Sequence, residues 1–217
     1  MIQKLKDLGA DVVQIGEHWV EADTHLREEL LKKDENGVYV PPFDHEDIWE
    51  GNATIITELD QQMRGDYDAV VCSVGGGGLF SGVMEGLSNN GRLGVSTRPV
   101  KILALETKCA DSLSLSIRNG KLSRLPGITS IATSLGATQV ASKAFAWGQR
   151  KEVTSCVLND AQAAMACVEF ANDERIIVET SCGVSLASAY NDTLRTVLYP
   201  DLSDEDFEQL KVVIIGM

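Results

Sequence analysis

The 217 residues carry a formal net charge of −13, which argues against binding nucleic acid or an anionic membrane surface. With 44% hydrophobic and 24% charged residues, the composition is that of a soluble globular protein, long enough for one large or two small domains with a real core. No apolar run reaches membrane-spanning length and the amino terminus lacks the apolar core of a signal peptide, so a cytoplasmic location is expected.

Residues 1–9 read as the last turns of a helix ending at Gly9, and Ala10–Gly16 as a strand. Glu21–Lys33, with Leu26, Leu30 and Leu31 on one side, suits a surface helix closed by the Asn36-Gly37 turn. Val38–Val40 is a short strand stopped by Pro41-Pro42, where the chain is expected to pass from one domain, residues 1–40, to a second, residues 41–217. Asn52–Met63 reads as a helix before a valine-rich strand at 68–74, and Lys101–Glu106 as the next strand. Helices are expected at Thr138–Gln149, Asp160–Asn172 and Gly183–Tyr199, with strands at Ile176–Glu179 and Lys211–Ile215. This alternation predicts an α/β fold with a doubly wound, mostly parallel sheet.

The most informative stretch is Ser73-Val74-Gly75-Gly76-Gly77-Gly78-Leu79, between that valine-rich strand and an apolar helical segment. Four residues without Cβ permit positive φ and close approach of a ligand, and the first amides of the following helix point the same way, which suits a phosphate. As a plain turn the run would be costly, since Gly is about 1 kcal/mol worse than Ala in ordered structure. Neither common nucleotide motif fits. In a Gly-x-Gly-x-x-Gly register the third position falls on Phe80 or Ser81, and no lysine follows Gly78 as a P-loop requires. Ligands of such sheets sit beyond the carboxyl ends of strands, so this loop, Glu106-Thr107-Lys108 and Glu179-Thr180-Ser181-Cys182 are expected on one rim. Either acid could instead be a helix-start residue, Glu179 more readily than Glu106. The five cysteines, Cys72, Cys109, Cys156, Cys167 and Cys182, have no Cys-x-x-Cys spacing and fit reduced thiols; His18, His25 and His45 lack the spacing of metal ligands.

Taken together, Pro42-Phe43-Asp44 through Ile48-Trp49-Glu50-Gly51, the tetraglycine stretch, Ala104-Leu105-Glu106-Thr107, Leu125-Pro126-Gly127-Ile128-Thr129-Ser130-Ile131-Ala132 and Val178-Glu179-Thr180-Ser181-Cys182-Gly183 resemble, in order, the pyridoxal-phosphate-dependent L-serine/L-threonine dehydratases, most closely their cytosolic eukaryotic branch. The resemblance implies the fold-type II, tryptophan-synthase-β-like architecture. It also implies that backbone amides of Gly75, Gly76, Gly77, Gly78 and Leu79 hold the phosphate of pyridoxal phosphate, with Ser134 facing its ring. Glu106 and the carbonyls of Gly75, Ala110, Leu135 and Ala137 would surround a monovalent cation, expected to be potassium. The family reaction converts L-serine to pyruvate and ammonia, and L-threonine to 2-oxobutanoate, through a lysine joined to the cofactor.

The sequence departs from the family at that lysine. No Ser-x-Lys-x-Arg-Gly motif and no Ser-Ser-Gly-Asn-type carboxylate loop occurs, and Gly216 stands where the family places the cysteine beside the pyridine nitrogen. Lys108 and Lys143 are expected at the surface rather than in the missing role. The expectation is therefore a dehydratase shortened at both ends, with a remnant of the small domain, an incomplete large domain, no catalytic residue, weak cofactor binding and no activity alone. The other readings are a half-enzyme completed by a separate fragment, a non-catalytic module pairing with intact subunits or forming a homodimer, and, distantly, a Rossmann oxidoreductase.

Overall fold

A computed structural model describes residues 2–17, 19–94 and 99–216; His18 and the terminal methionines Met1 and Met217 lie outside the described residues. The chain divides into two compact units, Met1–Pro41 and Pro42–Met217.

In the first unit, α1 (Ile2–Asp7) ends in a turn at Gly9, which has a φ of 85°, and α2 (Trp19–His25) runs on through a π turn at Leu26–Leu30 and a 3-10 turn at Leu31–Lys33. The Asn36-Gly37 turn closes with the Gly37 amide on the Asp34 carbonyl at 3.0 Å. The strands expected at Ala10–Gly16 and Val38–Val40 do not form. Neither segment pairs with a neighbouring strand among the described residues, and a strand without a ladder partner keeps its amides in water. No described residue of this unit is buried.

The second unit is organised around a four-stranded parallel sheet of β1 (Ala69–Ser73), β2 (Lys101–Thr107), β3 (Val153–Leu158) and β4 (Val212–Ile215), in the order β3-β2-β1-β4. Before it comes α3 (Glu46–Met63), which begins with the His45 side chain accepting the Asp47 amide and ends at left-handed Arg64. After β1 come α4 (Gly78–Asn89), then α5 (Ser112–Asn119) and α6 (Ser142–Gly148) between β2 and β3. The chain continues with α7 (Asp160–Glu174), α8 (Thr180–Tyr190) and α9 (Asp204–Glu208) before β4.

The chain lays β1, β2 and β3 in one direction and then returns to the far side of β1 with β4. Parallel crossovers keep one hand, so that reversal moves the connecting helices to the opposite face. The core records it. Val70, Cys72, Ile102 and Ala104 pack with α3, α4 and α6, whereas Ala69, Val71, Leu103 and Leu105 pack with α7 and α8. The reversal places a switch point between β1 and β4, where the carboxyl end of β1 runs into the glycines.

Four further expectations change. The segment 176–179 is not a strand but the link in the α7–α8 hairpin, and Ile177 is 91% exposed. β3 carries half-buried Thr154 and Ser155 in place of a continuous apolar run, so its sequence signal was weak. The helix expected at Thr138–Gln149 is confined to Ser142–Gly148. The one expected at Gly183–Tyr199 starts at Thr180 and stops at Tyr190, followed by a π turn at Leu194–Leu198.

Helices α3 and α4 meet through glycine. A Cβ on Gly82 would lie 2.3 Å from Asn52 Cβ and 2.7 Å from the Trp49 carbonyl. Gly51, inside α3, has nothing within 4 Å of the same position. Urea unfolding should therefore show opposite signs: Gly82→Ala loses about 1–3 kcal/mol by overpacking, and Gly51→Ala gains about 0.5–1 kcal/mol of helix stability.

Candidate functional site

The glycines after β1 are packed on every side. A Cβ on Gly75 would stand 2.9 Å from Leu135 Cα, and on Gly76 2.2 Å from the Phe43 ring. On Gly77 it would reach 2.4 Å from Ala144 Cβ, and on Gly78 3.0 Å from the Phe43 carbonyl. Only Gly77, at φ 92°, needs the left-handed region. The absence of side chains is thus explained by the protein's own packing, and the case for a ligand rests on the backbone. Val74 donates to the Leu105 carbonyl at 2.8 Å and Ser81 to the Gly77 carbonyl at 2.9 Å, but the amides from Gly75 through Phe80 donate to nothing among the described residues. They belong to the loop and first turn of α4, where unpaired amides and the helix dipole favour an anion.

These amides border a cavity of about 350 Å³ lined by Gly75–Leu79, Ser73, Ser134, Glu179 and Ser181. Ser134 is exposed on its wall; Leu135, from the same 3-10 turn, is buried. Opposite stands the start of α8. Ser181 is 3% exposed and its hydroxyl has no partner among the described residues, so a buried polar atom is left unsatisfied at the cavity. Glu179 is the N-cap residue of α8, makes no capping bond and is exposed, giving the cavity one negative pole.

The loop bearing Ser134 and Leu135 is held by Asp160, at the start of α7. Ser130 Oγ lies 2.6 Å from one carboxylate oxygen and 2.8 Å from Thr107 Oγ1, and the Ile131 amide donates to the other carboxylate oxygen at 3.1 Å. Thr180 donates to the Ile131 carbonyl at 3.0 Å, tying the same loop to α8. The sequence marks Asp160 only as a helix start. The Leu125–Ala132 stretch offered the one hint that the loop is specified.

Glu106 does not line this cavity. It is fully buried, accepting the Leu113 and Ser114 amides of α5 at 2.8 Å each. Burial pushes its pKa up to about 8, against those two amides, which pull it down. The carboxyl therefore caps α5 without an ion pair among the described residues, the charges of Asp111 and Arg118 acting on it in opposite directions. Of the backbone oxygens that the resemblance assigns to a cation with Glu106, the carbonyls of Gly75, Ala110 and Ala137 accept no hydrogen bond among the described residues, and that of Leu135 accepts only the Ala137 amide, at 2.8 Å. Ser112, beside Leu113, adds a buried hydroxyl without a partner, which the sequence did not single out. No group of three His, Cys, Asp or Glu side chains suited to a metal occurs among the described residues, so such oxygens are the available ligand chemistry for a hard cation.

Neither substitute lysine reaches the glycine cavity. Lys143 Nζ is 3.5 Å from Glu85 and lies over the rings of Trp49 and Trp147 at 5.3 and 5.7 Å, and Lys108 lines a different cavity. Burial raises the thiols of Cys72, to about 12, and of Cys156, Cys167 and Cys182, leaving them poor nucleophiles. The three polar turns thus separate: the glycines and Glu179 share one cavity, Lys108 lines another, and Glu106 is internal.

Comparison with known proteins places this geometry. Residues 1–201 match the family described as pyridoxal-phosphate dependent enzyme. An L-serine dehydratase of Saccharomyces cerevisiae is 38% identical over the whole chain, which covers 65% of that protein. The L-serine dehydratase/L-threonine deaminase of Bos taurus is 38% identical over 99% of the chain and 64% of its own length. Among solved structures, a fungal L-serine ammonia-lyase from Rhizomucor miehei superposes with a TM-score of 0.86 at 32% identity, over all of this chain and 65% of its own. Threonine deaminase isoform 2 from Solanum lycopersicum gives 0.80 at 28%, over 99% and 57%. The chain thus spans just under two thirds of the relatives it matches. With a parallel sheet of the fold-type II kind and similarity to L-serine dehydratases along its full length, it belongs to the pyridoxal-phosphate dependent enzyme family.

Proposed function

We propose that this chain is the cofactor-phosphate-holding part of an L-serine dehydratase, acting on L-serine and L-threonine only when the remaining catalytic groups are supplied. The observation that carries this reading is the run of unpaired amides from Gly75 through Phe80 beside a cavity shared with the start of α8 and the unsatisfied Ser181 hydroxyl. Pyridoxal phosphate fits there: the amides of Gly75, Gly76, Gly77, Gly78 and Leu79 meet its phosphate, and Ser134 stands on the wall where the ring would lie. When bound, the cofactor supplies an electron sink for removing the Cα proton and the β-hydroxyl of the substrate. This chain's residues bind and orient it; none takes the covalent or proton-transfer role, since Lys108 and Lys143 lie elsewhere. The five free thiols agree with a reducing, cytosolic setting.

The purified chain should bind pyridoxal phosphate at least about tenfold more tightly than pyridoxal, because charge-assisted bonds to the phosphate dominate. It should produce no pyruvate from L-serine, and borohydride should trap no specific adduct at Lys108 or Lys143. Unaided turnover, or a single mapped adduct, sinks the inactive reading, and equal affinity for pyridoxal sinks the phosphate site.

A second reading, a half-enzyme completed by a separate fragment, is favoured by the first unit. None of its described residues is buried, and Leu8, Val38 and Val40 are at least 80% exposed. Adding the first third of a relative such as the yeast L-serine dehydratase should then restore pyruvate formation; co-purification without activity points instead to a non-catalytic pairing module.

The cation site is proposed at Glu106 with the carbonyls of Gly75, Ala110, Leu135 and Ala137, and potassium as the ion. An acid raised from 4.5 in the unfolded chain to about 8 when folded binds more protons folded than unfolded between those values, so stability falls as pH rises through that window. In tetramethylammonium buffer the melting temperature should decline from pH 5 to pH 8. Potassium should restore it at pH 8 and do little at pH 5, and Glu106→Gln should flatten both effects. A profile in Glu106→Gln that matches the unsubstituted chain rejects the assignment.

A further inference from the structure

A cavity of about 850 Å³ opens past the carboxyl ends of β2 and β3, between those strands and the start of α7. It shares no lining residue with the glycine cavity and contains none of the residues proposed to hold the cofactor or the cation. Its volume lies within the range of about 300–1,000 Å³ typical of small-molecule sites.

The free hydrogen-bonding capacity of its walls is one-sided. Asn159 and Gln162 form the capping box of α7: Asn159 Oδ1 accepts the Gln162 amide at 2.9 Å and Gln162 Oε1 accepts the Asn159 amide at 3.0 Å. Both side-chain oxygens are thereby used, and both NH₂ groups remain as donors. Asp111 is also engaged, one oxygen accepting the Cys109 amide at 3.0 Å and the other pairing with Arg118 at 3.3 Å. The Arg118 side chain is 60% exposed and spends a single N–H on that bond. Lys108 is pinned at the rim by its amide on the Leu158 carbonyl at 2.8 Å, while its ammonium has no ion pair or hydrogen bond among the described residues. Two further acids lie close by in the chain: Asp160, beside Asn159, is engaged by Ser130 and Ile131, and Glu106, which feels the charges of Asp111 and Arg118, is buried under the Leu113 and Ser114 amides.

Against the single carboxylate of Asp111, already shared between Cys109 and Arg118, stand two cations, two amide donors and the positive end of a 15-residue helix, with apolar surface from Leu125 and Val157. In a chain of net charge −13, such a concentration of unspent donors selects for an anion, and the separate Lys108 and Arg118 heads for more than one negative group. We infer that this cavity binds a small organic polyanion, a polycarboxylate or a phosphate ester, at a site distinct from that of the cofactor.

The test uses the 217-residue chain without pyridoxal phosphate, with citrate and fructose 1,6-bisphosphate as probes for the two sources of charge and glucose as the neutral control. Calorimetric titration should show at least one anion binding more tightly than about 1 mM and no binding of glucose. Because Cys109 is an exposed thiol on the cavity wall, the bound anion should also slow its alkylation by iodoacetamide. The Lys108→Gln/Arg118→Gln double variant, altered only at exposed positions, should melt normally and bind at least about tenfold more weakly, as expected when two charge-assisted contacts are lost. Undiminished affinity in that variant, binding without protection of Cys109, or failure of both anions to bind overturns the inference. Pyridoxal phosphate binding measured in parallel separates the two sites, since its loss bears on the glycine loop and leaves the anion result standing.

Discussion

The packing of Phe43, Leu135 and Ala144 against four consecutive glycines is the constraint on which the candidate site depends. Gly75, Gly76 and Gly77 admit protein neighbours at distances no Cβ would allow and Gly78 a tight one, and the loop is thereby clamped between the segment before α3, the 3-10 turn at Thr133–Leu135 and α6. A clamped loop holds its amides in one direction before any ligand arrives, and fixed donors lose little to reorganisation on binding. The Ala141 amide on the Gly76 carbonyl, at 2.9 Å, shows how this is achieved: the loop's carbonyl is consumed by the protein while its neighbouring amides are left free.

The same division of labour runs through the surrounding shell. Asp160 uses both carboxylate oxygens on the loop that presents Leu135 to Gly75, and Thr180 fastens that loop to the helix bearing Ser181. Glu106 organises the start of α5 from inside the core. A raised carboxyl pKa there is the electrostatic signature of a buried acid whose hydrogen bonds only partly compensate lost hydration. The carbonyls of Gly75, Ala110 and Ala137 likewise accept no hydrogen bond among the described residues, and Ala110 and Ala137 are buried.

Much of this was legible in the sequence where local and global signals agree. The valine-rich run ending at Ser73, the glycines and the apolar helix after them formed a strand–loop–helix unit whose place at the switch point follows from topology. The illegible parts are those in which tertiary context decides. Val38–Val40 and Ile176–Glu179 have strand-like composition but pair with no strand among the described residues, and β3 pairs with β2 although Thr154 and Ser155 weaken its pattern. The glycines were read as room for a ligand because a sequence does not reveal that Phe43 fills that room. Ser181 was read only as part of a polar turn on the rim and Ser112 gave no signal, since an unsatisfied hydroxyl is a property of its surroundings. The helix was read only from Asp160 onward, and the paired amide bonds of Asn159 and Gln162 show both that they cap it and which of their atoms remain free.

The distribution of burial bears on how this chain can be stable. The second unit has two core layers, one on each face of the sheet, in which Tyr67, Phe80, Met84 and Leu103 are fully buried. Its outer strands are less well covered: β4 is half-buried throughout, β3 nearly so, and neither has a ladder partner on its outer side among the described residues. Unpaired edges of this kind are templates for further strands. In the first unit the imbalance is greater, since ordering a residue costs about 1–2 kcal/mol of backbone entropy and no described residue there recovers it by full burial. Its local order rests on short-range contacts such as the Arg27 pairing with Asp23 at 2.9 Å and its stacking over Tyr39 at 3.9 Å, each of the exposed type that contributes at most about 1 kcal/mol. A partner covering that apolar surface would therefore supply the burial that the first unit lacks, and its ordering and its binding would be one equilibrium.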